Sequence, residues 1–106
     1  MRKANIYFRN LLSGILEETD TGYRFTYDKN YLELSSAEPV SLTMPLRELP
    51  YDSNILHPFF DGLIPEGWLL DVALRNSDIS QLDRMGLLLL CCKDCIGAVS
   101  VQPIEG

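Results

Sequence analysis

The chain has 106 residues, 46% of them hydrophobic and 9% aromatic, which predicts one folded domain over residues 1–106. A formal net charge of −6 disfavours direct nucleic-acid binding and favours a basic protein partner, although it is also ordinary for keeping a small protein in solution. No export signal is visible, and the longest apolar run, 87–92, is far shorter than the roughly 20 residues of a membrane span. We therefore expect a cytoplasmic protein with reduced cysteines and no membrane contact.

The first third of the chain carries three segments that alternate between apolar and polar residues. This alternation, the pattern of half-buried strands, covers 4–8, 12–16 and 23–27. Turn residues at 9–10 and 19–22 separate the three segments. The sequence therefore predicts an N-terminal antiparallel meander.

The next part of the chain predicts a fourth strand. A short helical turn is expected at 31–34, and alternation over 40–44 then indicates a strand that Pro45 ends, since proline removes a backbone donor. The stretch 49–54 has the composition of a loop.

Three helices are expected after that loop. The first covers 55–60 behind a capping residue at Ser53 or Asn54. The second begins at Pro65, because proline is favoured in the first helical turn. The third covers 80–89, where a serine start precedes regularly spaced apolar residues.

The chain ends with one more predicted strand. Alternation over 96–101 indicates a strand that returns to the sheet, and 102–106 is expected to be a tail. The order of elements predicts an α+β fold: a mostly antiparallel sheet, made of the N-terminal meander and the returning C-terminal strand, with about three helices packed on one side.

Three cysteines lie close together at Cys91, Cys92 and Cys95. A redox C-x-x-C pair normally begins a helix, whereas Cys92 and Cys95 follow a predicted one. A structural zinc site needs four ligands, and only these cysteines and the distant His57 are available. Packing in the core is favoured, with a thiol role or a zinc site shared with another chain as the alternative.

The remaining candidates for catalysis do not converge. His57, the only histidine, has no nucleophile motif nearby, so a helix-start or surface histidine is expected. Glu17 and Glu18 are neighbours on a predicted strand and would point to opposite faces. Phosphate-binding glycine motifs and the kinase motif pair are both absent from the sequence. We expect neither catalysis nor a cofactor.

The candidate binding site surrounds Trp68, the only tryptophan in the chain. Its spacing to Val72 allows a place on a buried helix face, but the junction between a loop and a helix favours partial exposure. Tryptophan is also enriched among the residues that dominate protein interfaces. Acidic neighbours would give this anchor a negative rim. The candidate contact residues are Asp61, Ile64, Pro65, Glu66, Gly67, Trp68 and Asp71.

Three segments, in this order and at these spacings, resemble the N-terminal domain of HipA-type toxin kinases. They are Pro39-Val40-Ser41-Leu42-Thr43-Met44-Pro45-Leu46, Phe59-Phe60-Asp61-Gly62-Leu63-Ile64-Pro65-Glu66-Gly67 and Asp94-Cys95-Ile96-Gly97-Ala98-Val99. One departure is visible, because the family often has Gly-Arg before the last aspartate and this chain has Cys92-Lys93.

The resemblance implies a function in a toxin–antitoxin system. HipA-type proteins are serine/threonine kinases that carry such a domain at the N-terminus. In a split arrangement, a small separate protein resembles this domain alone and restrains a shortened kinase. The chain resembles that small protein, and its start at Met1 and its end just after the last predicted strand favour this interpretation.

Two kinds of function are therefore expected in order of preference, ahead of a third, a thiol or metal-binding protein that uses Cys92 and Cys95. The first is a non-catalytic, antitoxin-like subunit that binds a separate HipA-like kinase, with a DNA-binding third component as a further candidate partner. The second is an N-terminal fragment of a full-length kinase of this type.

Overall fold

The computed structural model describes residues 1–64, 75, 83–91 and 98–104. The strands in this part are β1 (Lys3–Phe8), β2 (Leu11–Thr19), β3 (Gly22–Tyr27), β4 (Tyr51–Ser53) and β5 (Val99–Ile104). The helices are α1 (Lys29–Leu32), α2 (Pro58–Asp61) and α3 (Arg84–Cys91). The strands form one antiparallel sheet in the order β4-β3-β2-β1-β5. The predicted α+β class is confirmed.

The N-terminal meander forms as the alternation predicts. Arg9 and Asn10 connect β1 to β2 with positive φ angles of 51° and 68°, the backbone of a tight hairpin turn. The register shifts by one residue opposite Ile6, which leaves Ser13 as an extra residue in β2. The Ser13 hydroxyl donates to the Ile6 carbonyl oxygen at 2.8 Å, so this buried polar group is satisfied within the sheet.

The predicted strand over 40–44 is wrong. This segment is a tight turn closed by one bridge between Ser41 and Met44. Its backbone groups bind a side chain instead of a strand: the Tyr27 hydroxyl donates to the Met44 carbonyl oxygen and accepts from the Val40 N–H at 3.0 Å. Two further tyrosine hydroxyls reach the flanking carbonyl oxygens of Glu38 and Pro45.

The fourth strand lies instead within the stretch predicted to be a loop. Tyr51 pairs with Phe25, and Asp52 pairs with Arg24, at the edge of the sheet. The strand has only three residues, too few for alternation to identify it.

The helices begin at positions other than those predicted. Asp28 caps α1 by accepting from the Tyr31 N–H at 3.1 Å, so this helix starts earlier than the predicted turn. His57, and neither Ser53 nor Asn54, occupies the N-cap of α2. Ser53 instead accepts from the Ile55 N–H at 3.3 Å in a local turn.

The C-terminal elements also differ from the prediction in extent. The Asp83 carboxylate accepts from the Gly86 N–H at 3.0 Å before the first turn of α3, whereas the predicted start of this helix at Ser80 lies outside the described residues. Strand β5 continues through Ile104 into the predicted tail, because these residues pair with β1. None of the described helices is long and apolar enough to cross a membrane.

The core lies between one face of the sheet and the helices. Phe25 of β3 and Phe60 of α2 are fully buried, and their ring centroids lie 5.2 Å apart. Fully buried side chains of α3 complete this layer: Met85, Leu87 and Leu88. Truncation of a buried phenylalanine typically costs about 3–5 kcal/mol of folding free energy. The contact between Phe25 and Phe60 therefore holds α2 against the sheet.

Candidate functional site

Helix α2 and the turn after it position the first two candidate contact residues. Pro58 occupies the first turn, where a missing N–H is tolerated, and Gly62 is the C-cap. Phe60 is fully buried against Phe25 of the sheet, whereas the next residue, Asp61, is partly exposed.

Asp61 forms an ion pair with α3. Its Oδ1 accepts from Arg84 Nε at 2.6 Å, and both side chains are about two-fifths exposed, at 42% and 39%. The carboxylate thus faces solvent while holding a basic partner of its own chain. The sequence did not single out Arg84, because no local pattern links residues 23 positions apart.

Ile64 lies in the core of the described structure. Its side chain is 5% exposed, and its N–H donates to the Asp61 carbonyl oxygen at 3.2 Å. Ile64 is therefore part of the hydrophobic core of this chain. Its contact with a partner stays a prediction.

The other candidate contact residues lie outside the described residues. They are Pro65, Glu66, Gly67, Trp68 and Asp71. The tryptophan anchor and most of the acidic rim are therefore still predictions. Cys92 and Cys95 also lie outside this part, while Cys91 ends α3.

A small pocket opens beside the start of α2. It has a volume of about 210 Å³ and lies between the turn that contains Met44 and the first residues of the helix. We call it the His57 pocket; its walls are Thr43, Met44, Tyr51, His57, Pro58 and Phe59. The sequence did not indicate this pocket, because it depends on the turn that replaces the predicted fourth strand.

His57 is buried in the pocket wall, with 7% of its surface exposed. Its Nε2 lies 2.7 Å from the Tyr51 carbonyl oxygen, which can only accept, so Nε2 carries the proton. Burial lowers the pKa of His57, which favours the neutral ring. Nδ1 is then an acceptor, and it is buried without a hydrogen-bond partner among the described residues. The predicted helix-start position is confirmed, but the side chain is not on the surface.

The two neighbouring glutamates bind different partners. Glu18 accepts from Arg2 Nε at 2.7 Å, whereas Glu17 lies 3.7 Å from Lys3 Nζ. Arg2 also binds Asp83 at 2.6 Å and so joins the sheet to the start of α3. Hydrogen bonds from Arg2 hold the pKa of Glu18 and of Asp83 below their usual values. These carboxylates act as structural ion pairs.

The described residues offer surfaces for binding. No group of three or more histidine, cysteine or acidic residues in this part is arranged to hold a metal ion. What the geometry provides is a mostly apolar pocket at the start of α2 and, at the other end of this helix, a partly exposed carboxylate. Both features suit contact with another polypeptide.

Comparison with known proteins identifies the family. The model of the HipA N-terminal domain matches residues 4–102. The chain belongs to the HipA N-terminal domain family. The resemblance noted in the three sequence segments is thereby confirmed.

A solved structure agrees with this assignment over almost the whole chain. The structure described as the N-terminal domain of HipA toxin superposes with a TM-score of 0.77 at 28% sequence identity. The superposition covers 99% of this chain and 94% of the other. The fold described above is therefore the fold of the HipA N-terminal domain.

Two relatives differ greatly in length. An uncharacterized protein of Haemophilus influenzae is 30% identical over 102 residues, and the match covers 96% of this chain and 92% of that protein. The putative kinase Y4mE of Sinorhizobium fredii is 28% identical over 111 aligned positions. That match covers 97% of this chain but only 25% of the kinase.

Proposed function

We propose that this chain is a non-catalytic, antitoxin-like subunit that binds and restrains a separate HipA-like serine/threonine kinase. The partner is a kinase of the same family, with a DNA-binding protein as a further component of the complex. The described part of the chain contributes an interaction surface at α2, and no group in it is assigned a catalytic role.

The contrast between the two relatives carries this proposal. A domain of this extent makes up nearly all of the Haemophilus protein, yet only a quarter of the putative kinase. The same fold thus occurs as almost an entire protein and as one part of a much longer one. A subunit that occupies, in trans, the place of the N-terminal domain explains both observations.

Restraint would act on the geometry of the kinase active site. The segment 65–68 enters the cleft near the nucleotide-binding loop of the partner kinase. Trp68 displaces this nucleotide-binding loop of the kinase. A misplacement of about 1 Å can cost on the order of 100-fold in rate, so a single wedged side chain is sufficient. The acids Asp61, Glu66 and Asp71 pair with basic phosphate-binding residues of the kinase.

The test uses the full chain and the purified HipA-like kinase from the same genome. Affinity is measured by biolayer interferometry and restraint by autophosphorylation of the kinase. Loss of an anchoring tryptophan typically costs about 2 kcal/mol or more, so Trp68→Ala should weaken binding roughly 30-fold and release the kinase. Tyr7→Ala, on the outer face of the sheet, is the matched aromatic control and should bind like wild type.

Two results would contradict the proposal at different levels. If wild type does not bind the kinase, the subunit function is wrong. If Trp68→Ala binds and inhibits as well as wild type, the partnership stands but the wedge is wrong.

A second candidate is the N-terminal domain of a full-length HipA-type kinase. It is favoured by the match of 97% of this chain to one quarter of the putative kinase. An antibody against the domain distinguishes the candidates in cells of the source organism. A band of the size of 106 residues supports the separate subunit, and a band several times larger supports the kinase domain.

A further inference from the structure

The described helices cover only one face of the sheet. Ile6 and Phe25 point toward these helices and are fully buried. Successive residues of a strand point to opposite faces, so the neighbours of these two residues lie on the other side. On that side, Tyr7 pairs with Leu12, and both Leu12 and Ile15 are 37% exposed. We call this side of the five strands the outer face; Tyr7, Leu12 and Ile15 are the apolar residues at its centre.

One row of the outer face carries alternating charges across four adjacent strands. Residues paired across strands lie on the same face, so each member of the row is beside the next. Within the row, Lys3 Nζ lies 3.7 Å from Glu17, and Arg24 Nε lies 2.6 Å from Asp52. From β1 to β4 the row consists of Lys3, Glu17, Arg24 and Asp52, whose charges are positive, negative, positive and negative.

An alternating row of four charges is complementary to its own reverse. A two-fold axis parallel to the strands, between β2 and β3, places a second copy face to face with the row in reverse order. Lys3 then faces Asp52 of the second copy, and Glu17 faces Arg24 of that copy. Every charge in the row therefore meets a charge of opposite sign, which fixes how the two sheets are aligned.

The apolar residues of β2 lie beside the same axis. Leu12 and Ile15 of one copy therefore approach Leu12 and Ile15 of the other. Sheets that pack face to face lie about 10 Å apart, so side chains of this length interdigitate between them. Five strands of mostly six or more residues give a face roughly 20 Å on a side. This is small for a specific interface, so we expect a weak dimer with a dissociation constant in the micromolar range.

The charge of the outer face suits a second copy better than a basic partner. The whole chain has a net charge of −6, so two copies repel each other in most orientations. The four charged residues of the row are two basic and two acidic, and their charges sum to zero. A second copy can approach this face without net repulsion, whereas a basic protein gains no net attraction from it.

We propose that the outer face binds a second copy of this chain, in a two-fold dimer aligned by the alternating charge row. This inference goes beyond the proposed function and does not depend on it. Helix α2, with Asp61 at its end, packs on the opposite face of the sheet through Phe60. The dimer therefore leaves the surface assigned to the kinase free on each copy.

Sedimentation equilibrium of the full chain tests for the dimer. From about 10 μM to about 1 mM, the mass of wild type should rise from that of one chain toward that of two. Ile15→Glu should keep the chain monomeric, because it places two like charges beside the axis. Leu34→Glu is the matched control, since Leu34 is exposed just after α1 and should not affect the dimer.

Two charge reversals test the alignment of the sheets. Glu17→Arg and Arg24→Glu each place like charges opposite one another in a homodimer, so each variant alone should be monomeric. In an equal mixture, Arg at position 17 of one chain faces Glu at position 24 of the other, and all four charges of the row are again opposed. The mixture should associate at least about tenfold more tightly than either variant alone. Altered folding cannot cause this recovery, because each chain keeps its own substitution.

Three results overturn the dimer: wild type that stays monomeric, a dimer that persists in Ile15→Glu, or no recovery in the mixed variants. The kinase assay separates the dimer from the proposed function. Ile15→Glu should bind the kinase like wild type, and loss of kinase affinity in this folded variant would assign the outer face to the kinase instead. If wild type dimerises but does not bind the kinase, the proposed function fails and the dimer stands.

Discussion

Asp61 at the end of α2 and Arg84 at the start of α3 form an ion pair with 2.6 Å between Oδ1 and Nε. This contact joins two helices on either side of the segment that contains the candidate contact residues. The pair lies at the surface, so its role is to set the relative position of the two helix ends more than to supply stability.

Substitution of Asp61 by asparagine should lower the free energy of unfolding only slightly. Exposed ion pairs typically contribute about 0.2–1 kcal/mol, because solvent screens the charges and two side chains lose freedom. A double-mutant cycle with Arg84→Gln, measured by urea unfolding, isolates the pair from the other contacts of Arg84. A coupling energy above about 2 kcal/mol would contradict this description of a screened surface pair.

Arg2 joins the sheet to α3 through two carboxylates. Its guanidinium binds Glu18 at 2.7 Å and Asp83 at 2.6 Å, and its pKa is raised by these hydrogen bonds. Both carboxylate pKa values are lowered by Arg2 from their usual 4.5 and 3.8. Gly86 leaves the space for this arrangement, because a Cβ atom there would lie 2.3 Å from Asp83 Oδ2.

Arg2→Met should therefore destabilise the fold in a pH-dependent way. Since the folded-state pKa values of both carboxylates are depressed, their contribution is fully present above about pH 5 and is lost as the pH falls through the folded values. At pH 7 we expect a loss of about 1 kcal/mol, allowing for solvent exposure of the partners.

Urea unfolding of both proteins between pH 7 and pH 3 checks the Arg2 prediction. Wild type should lose its advantage over Arg2→Met toward acid pH. Lys3→Met is the charge-matched control, because Lys3 lies 3.7 Å from Glu17 and is more exposed. A constant difference between wild type and Arg2→Met across the range would show that the carboxylates are not the cause.

Much of the fold could be predicted from the sequence because its signals are local. The alternation in the three N-terminal strands and the turn at 9–10 depend on neighbouring residues, and the structure has them where expected. The segment 40–44 has the same alternation, yet none of the described strands pairs with it. Its backbone binds the hydroxyl of Tyr27, a side chain 13 positions from Val40, and no periodicity reveals such a contact.

The candidate site also contains features that depend on neighbouring residues and features that depend on contacts between distant segments. The sequence named Asp61 as part of an acidic rim around Trp68; the structure describes a partly exposed Asp61, and its contact with a partner stays a prediction. The ion pair with Arg84 and the His57 pocket both depend on contacts between distant segments. Neither could be inferred before the turn at 41–44 and the position of α3 were known.

Gly14 is required where β2 crosses the ring of Phe25. A Cβ atom at this position would lie 2.5 Å from the Thr26 carbonyl oxygen and 2.8 Å from two ring carbons of Phe25. Gly14→Ala must displace a backbone atom and a fully buried ring, and overpacking of this kind typically costs about 1–3 kcal/mol. Thermal and urea unfolding measure this loss.

Gly62→Ala is the matched control for the change at Gly14. Gly62 has ordinary helical backbone angles, and the nearest atom to an added Cβ is the Pro58 carbonyl oxygen at 3.2 Å. A change within about 1 kcal/mol of wild type is expected there, since alanine also restricts the unfolded chain. Equal free energies of unfolding for the two variants would mean that β2 accommodates a Cβ atom at Gly14 without loss of stability.

His57 should make stability depend on pH near neutrality. Burial lowers its pKa from the usual 6.5, so the unfolded chain binds a proton more readily than the folded one. The contribution of the neutral ring is present above about pH 6.5 and is lost as the pH falls toward the folded-state pKa. Within that window, the free energy of unfolding should fall by at most about 1.4 kcal/mol per pH unit.

His57→Gln separates this titration from the rest of the protein. The glutamine amide N–H can still donate to the Tyr51 carbonyl oxygen, but it does not titrate. Urea unfolding at pH 7.5, 6.5 and 5.5 should show a decline for wild type and a nearly flat profile for His57→Gln, since the carboxylates bound by Arg2 titrate only at lower pH. Parallel declines in both proteins would place the titrating group elsewhere and would remove the support for a neutral His57 in the pocket wall.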